Sequence, residues 1–374
     1  MRDEMLLLTV LQISDVHFGD TLGGDNADGL SAKVPPLLST FRHLEGLLGH
    51  HYKGLSALHD FYSDLWENES GSGLLLVLTG DVTASGAPIQ FDIADGFLGA
   101  FSPNSAFGFG LGRTDWRLWS ISGNHDCWPG NGLPLGAPSA ALKNYFAEPF
   151  PIVRNPIKLN NGTEVRFIFV DSDADVGPHG MNRLLARGHF VSQLTTLEKM
   201  LPRCAENEFR ILAIHHSITR AGAAVGEDTI TLPQLASGGL RTLEITPSTL
   251  RVLENALVDL NIKVVLCGHL HIPRLTRIVA SNGTERTTVL EARCGSTTQV
   301  DKYPYKVLQR LDRSRNLAPN SLIVHKVVEV GSSTVWRSQI YWRSREGRFV
   351  RHNQYVSSLM PSSLASEIVV LPRD

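Results

Sequence analysis

Cysteine, aromatic residues and surplus charge are scarce in this chain, and no uncharged apolar run approaches the length of a membrane span. Each scarcity removes a class of function. The four cysteines, Cys127, Cys204, Cys267 and Cys294, stand far apart, which excludes a disulfide framework and zinc-finger spacing and leaves reduced thiols as the default. A net charge of −2 argues against a general nucleic-acid coat. The charged opening Met1-Arg2-Asp3-Glu4 leads into an apolar strand rather than a cleavage site, so the expectation is a cytoplasmic protein with no membrane partner. Three glycosylation-like triplets then carry no meaning, and the Asn-Gly pairs at 161 and 282 predict hairpin turns instead. What charge there is lies unevenly. Residues 301–352 hold eleven Lys or Arg against four acids, a local +7 that leaves −9 for the rest. Such a stretch is either a solvated face or an anion-steering patch.

Against these absences stand 374 residues of 42% hydrophobic content, enough to bury a large core. Five aliphatic runs of strand length, Leu6 to Ile13, Leu74 to Leu78, Trp116 to Ile121, Phe209 to Ile214 and Ile262 to Cys267, each end in a polar cluster. The clusters are Asp15-Val16-His17, Gly80-Asp81, Gly123-Asn124-His125-Asp126, His215-His216 and Gly268-His269-Leu270-His271. Ligands of α/β sheets bind beyond the carboxyl ends of strands, so these residues can converge on one pocket although they are far apart in sequence. Imidazole and carboxylate suit Mn, Fe or Zn. Asp15 and His17 lie two apart, as do His269 and His271, so along an extended strand end each pair points to one side. Asp81, alone after Gly80, is the natural carboxylate to bridge two cations roughly 3.5–4 Å apart. Taken singly, each cluster fits a turn cap or a satisfied buried histidine. Together, in this order, they describe a two-metal hydrolase.

The ordered set resembles the calcineurin-like metallophosphoesterase superfamily, whose pattern is Asp-x-His, Gly-Asp, Gly-Asn-His-Asp/Glu, His and Gly-His-x-His. The wording Ile13-Ser14-Asp15-Val16-His17-Phe18-Gly19 and Gly80-Asp81-Val82-Thr83-Ala84-Ser85-Gly86-Ala87-Pro88 is similar to the class III cyclic-nucleotide phosphodiesterase branch. Two positions depart from it: Ala84, where that branch often carries an acid or amide, and Ser217, where it usually carries Pro. Both are expected at the pocket rim. The resemblance implies one metal on Asp15, His17, Asp81 and His271 and a second on Asp81, Asn124, His215 and His269. It also implies a phosphate-ester hydrolase, most closely a phosphodiesterase, in which a hydroxide between two divalent ions attacks a small-molecule substrate. His125 is expected to serve the leaving oxygen and Asp126 to orient its ring. His216 is expected to point away from His215 by strand alternation and to support the ligands or touch the substrate, with Arg183, Gly295 and Ser296 as further supporting candidates. A DNA or RNA nuclease and a low-turnover metal-binding scaffold are the competing readings.

Strands alternating with helices predict an α/β class fold, a two-sheet α/β/β/α sandwich with a β-rich C-terminal portion. Helices are expected over Pro35 to Leu48, His51 to Trp66, Pro88 to Phe101, Ser139 to Phe146, His189 to Leu201 and Thr246 to Leu260. A single domain covers 1–352, with 30–70 as a helical insertion or partial cap, 287–352 as second-sheet strands and 353–374 as a tail.

Overall fold

The computed structural model describes residues 4–20, 49–69, 73–99, 108–131, 133–146, 148–219, 229–231, 245–298, 320–344, 346–351 and 365–371. The aliphatic runs form strands whose two faces are both buried, which is why they lack polar alternation. In Leu74–Thr79, Leu75 and Val77 face the space between two sheets while Leu74, Leu76 and Leu78 face outward into a helical layer. Glu208–Ala213 divides the same way, with Phe209, Ile211 and Ala213 inward and Leu212 outward.

One sheet runs Phe349–Val350, Ser333–Arg343, Ser321–Val330, Glu4–Ile13, Leu74–Thr79 and Ser120–Ile121. The other runs Ile152–Val153, Glu164–Phe169, Glu208–Ala213, Ile262–Cys267, Arg286–Arg293, Arg274–Ser281 and Thr229–Thr231. Between them lies a core that includes Phe167, Phe209, Trp336 and Trp342. Helices Tyr52–Glu69 and Pro88–Leu98 cover the outside of the first sheet, and Val191–Met200 and Pro247–Asp259 the outside of the second. The layers are therefore α/β/β/α. Along Ser333–Arg343 the expected alternation holds, with Trp336, Ser338, Ile340 and Trp342 buried and the residues between them half-buried.

Several local expectations change. Trp116 to Trp119 forms a 3-10 turn, with Leu118 N–H donating to the Asp115 carbonyl, so only Ser120–Ile121 of that run is strand. The β-rich stretch from 287 is divided between the sheets: Arg286–Arg293 joins the second, whereas Ser321–Val330 pairs antiparallel with Glu4–Ile13 in the first. The segment expected as a tail contains the strand Ala365–Leu371, paired with Ser333–Arg343, whose free edge would otherwise leave backbone groups unpaired. Tyr52–Glu69 packs as sheet cover through Leu55, Ala57, Leu58 and Tyr62; the expected Pro35 to Leu48 helix lies outside the described residues. The Asn161-Gly162 and Asn282-Gly283 turns both close hairpins.

The site-bearing strands are also divided. Three lie in the first sheet and two in the second, and their carboxyl ends meet across the sandwich. Gln12, fully buried, fixes this meeting: its amide donates to the carbonyls of Cys267 (3.0 Å) and Ala292 (3.2 Å), and its oxygen lies 3.0 Å from His325 Nε2.

Candidate metal centre

The strands stop where the chain turns left-handed. Asp15 (φ 51°), His17 (54°), Asp81 (49°), His269 (70°) and His271 (54°) all take a conformation that side chains with a Cβ disfavour. Each such residue costs about 1–3 kcal/mol, and clustering of this kind is typical of sites whose surroundings impose it. The paired residues thus converge through left-handed turns and not, as expected, along an extended strand end. Two glycines allow the close approach: a Cβ on Gly80 would collide with the His215 ring, and one on Gly123 with the Asp81 carboxylate.

Two groups of buried side chains result. Asp15, His17, Asp81 and His271 offer ligand atoms all within 4.8 Å of one another, and Asp81, His215 and His269 do the same. His17 Nε2 lies 3.3 Å from His271 Nε2, and His215 Nε2 lies 3.2 Å from His269 Nδ1 and 3.1 Å from Asn124 Oδ1. Ligands about 2.0–2.1 Å from one tetrahedral cation are separated by about 3.3 Å, so these spacings suit a shared cation. His17 Nδ1 and His269 Nε2 are buried without a hydrogen-bond partner. The donor set, carboxylate, imidazole and amide oxygen, fits a pair of divalent metals.

The electrostatics agree. Burial pushes the Asp81 carboxyl up, but the imidazoles of His215 and His125 overcome it and hold the group well below the carboxylate range. Asp15 is also lowered, its burial outweighed chiefly by His271. Burial lowers His17 to about 3, with neighbouring His125 adding to the effect. His269 is lowered as well, by burial and His216. His215 goes the other way: burial lowers it, but Asp81, helped by Asp15, overcomes that and raises it to about 10, so without metal one imidazolium sits against the ionised carboxylates where a cation would take its place.

His125 stands beside these groups, its ring centroid 4.7 Å from that of His17, and stacks at 4.0 Å on Trp128, which the sequence had not singled out. Its Nδ1 donates to the Ala84 carbonyl at 2.8 Å, leaving Nε2 open. The backbone thus supplies an acceptor where an acidic side chain was missing. Asp126 does not orient this ring. Its carboxylate accepts from Val82 N (3.1 Å), Thr83 N (2.7 Å), Thr83 Oγ1 (2.7 Å) and Gly123 N (2.9 Å), because the tight turn sends adjacent side chains in different directions. It fastens the Asp81 loop to the Asn124 turn.

His216 does not point away either. Its ring lies 4.2 Å from that of His269, and its Nδ1 lies 2.7 Å from Ser172 Oγ. Ala84 and Ser217 are buried, not at a rim; Ser217 donates to Glu291 (2.9 Å), which also accepts from Ile218 N (2.6 Å). Ser296 Oγ donates to the Asp15 carbonyl (2.8 Å) and Thr298 Oγ1 to that of Val16 (2.7 Å), so the segment after Gly295 props the first site loop. The run Gly295-Ser296-Thr297-Thr298, a strand end rich in hydroxyls, carried a readable signal for this. Arg183 is buried and donates to the Cys127 carbonyl at 3.1 Å.

No curated protein matches the sequence. Among solved structures, the Thermus thermophilus sulfate thiohydrolase SoxB in complex with glycerol is similar at 12% identity and a TM-score of 0.35, over 98% of this chain and 57% of SoxB. This chain therefore spans less than two thirds of that protein's length. The calcineurin-like phosphoesterase family pattern matches residues 8–273, a span that includes both buried Asp/His groups and His125, and the chain belongs to that family.

Proposed function

We propose that the protein hydrolyses phosphate esters with two divalent cations and prefers diesters. The observation that carries this reading is Asp81, whose buried carboxylate belongs to both ligand groups at once. In this assignment Asp15, His17, Asp81 and His271 hold one ion, and Asp81, Asn124, His215 and His269 the other. When bound, such a pair supplies Lewis-acid charge and an acidified water. The chain's own residues do the remaining work. Asp15 and Asp81 balance the ionic charge. The Ala84 carbonyl fixes the His125 tautomer with the proton on Nδ1, and stacking on Trp128 holds the ring, so Nε2 is the atom that exchanges a proton with the leaving oxygen.

Diester preference is supported by the Gly80 to Pro88 wording and by charge: two cations neutralise a singly charged diester without additional basic residues. Mn, Fe and Zn all accept these donors. The four free thiols suit a reducing, cytoplasmic setting. Among the described residues of the basic stretch, Lys326 pairs with Glu69 at 2.6 Å, and Arg337 with Glu4 at 2.7 Å and with Glu367, so these two charges are neutralised within the fold and do not support a nuclease; Lys302, Lys306, Arg310, Arg313, Arg315 and Arg345 lie outside the described residues. The test is hydrolysis of a panel of bis-aryl phosphate, cyclic nucleotides, nucleoside diphosphate conjugates and aryl phosphomonoester with added Mn²⁺. Higher kcat/KM on the diesters supports the reading; preference for monoesters overturns it.

A further inference from the structure

Beyond the two Asp/His groups, a third set of potential ligands converges behind the Asn124 turn. Cys127 Sγ and the carboxylates of Asp171 and Asp173 lie within 4.8 Å of one another, and none belongs to the centre described above. In a tetrahedral site a thiolate and a carboxylate oxygen, with bonds of about 2.3 and 2.1 Å, lie about 3.6 Å apart, inside that limit. Cys127 is 4% and Asp173 6% exposed. Asp173 Oδ2 is buried with no hydrogen-bond partner, an expensive state for a carboxylate oxygen unless a cation or proton meets it. Burial, reinforced by Asp171, raises the Asp173 carboxyl to about 8, and burial raises the Cys127 thiol well above its usual range, so without an ion these groups keep their protons. Once deprotonated, the two carboxylates and the thiolate carry −3 against +1 from buried Arg183, and the remaining −2 equals the charge that one divalent ion cancels.

We propose that Cys127, Asp171 and Asp173 form a third cation site, selective for a thiophilic divalent ion such as Zn²⁺ or Co²⁺. Binding displaces the Cys127 thiol proton and the Asp173 carboxyl proton to solvent as the metal–sulfur and metal–oxygen bonds form. The ion would tie the turn that carries Asn124 and His125 to the loop following Glu164–Phe169, bracing the catalytic turn from behind. Soft sulfur distinguishes this site from the nitrogen and oxygen donors of the other two.

The test is a Co²⁺ titration of the full chain after chelator stripping, followed by absorption and by metal analysis. The expected result is three equivalents in the wild type and a near-ultraviolet sulfur-to-cobalt charge-transfer band. Cys127→Ser should abolish the band and leave two equivalents, and Asp173→Asn should weaken the Co²⁺ affinity read from the same band. Circular dichroism of each variant checks the fold. A wild type that shows no sulfur band, or a band that persists in Cys127→Ser, overturns the proposal. Failure of the two-metal reading gives a different signature, fewer than two equivalents in Cys127→Ser.

Discussion

Replacing Asp126 separates a structural clamp from a catalytic partner. Its buried carboxylate satisfies three backbone N–H groups and one hydroxyl, with Oδ2 serving Val82 and Gly123 and Oδ1 serving Thr83 twice. Asp126→Asn keeps one oxygen and turns an NH₂ group toward donors, leaving two of the four without an acceptor. At about 1–3 kcal/mol for each buried donor left unsatisfied, the gross cost is about 2–6 kcal/mol. Part is recovered, because burial, reinforced by Asp81, pushes the Asp126 pKa up to about 7 and a neutral amide avoids that charge burial. A net loss of about 2 kcal/mol is expected, and about 4 kcal/mol for Asp126→Ala, which strands all four donors. The assay is urea unfolding of metal-stripped protein, so that altered metal binding does not enter. For a domain of 374 residues the shift is about 1.3 °C per kcal/mol, so the Asn variant should also melt about 2–3 °C lower. Unchanged stability accompanied by a large loss of turnover would refute the reasoning and restore Asp126 as the partner of His125.

Other outcomes follow from the same geometry. His125→Asn should retain its metals while turnover falls roughly 10²-fold or more; a rate that is negligible before and after the change, with metals bound, would favour a scaffold over an enzyme. Gly80→Ala places a Cβ against the His215 ring in a left-handed backbone (φ 92°), so metal analysis should find occupancy reduced, and full occupancy would contradict the packing. His325, buried between the sheets, is lowered to about 3 by burial alone. Its unfolded value is near 6.5, so between about pH 6.5 and 3 the unfolded chain takes up a proton that the folded one refuses, and stability falls with acidification at up to about 1.4 kcal/mol per pH unit. His325→Gln should flatten this slope in urea midpoints taken at pH 7 and 5; an identical slope in the variant would show that His325 is not the group involved.

The sandwich was legible because its strands are buried on both faces and announce themselves as apolar runs, as in Leu74–Thr79. Trp116 to Trp119 misled for the same reason: an apolar run carries no sign of whether its backbone is extended or coiled into a 3-10 turn, and here Asp115 starts the turn. The convergence of Asp15, His17, Asp81, His215, His269 and His271 was visible in motif order, but its means was not. Left-handed φ angles at aspartate and histidine have no sequence signature, since the surrounding fold imposes them. The roles of neighbours were the least legible. Whether Asp126 faces His125 or the Val82 and Thr83 amides, and whether His216 joins or leaves the cluster, depends on turn geometry that residue spacing does not encode. Trp128 and the Asp171–Asp173 loop became apparent only once distant segments were packed together.

The most direct test of the central claim is electron paramagnetic resonance of the stripped protein reloaded with two equivalents of Mn²⁺. If Asp81 bridges two ions, the wild type should give an exchange-coupled spectrum, and Asp81→Ala should give only the six-line signal of isolated Mn²⁺ with hydrolysis of bis-aryl phosphate abolished. An isolated-ion spectrum from the wild type, or coupling and full activity retained in Asp81→Ala, would contradict the shared-carboxylate centre on which the account stands.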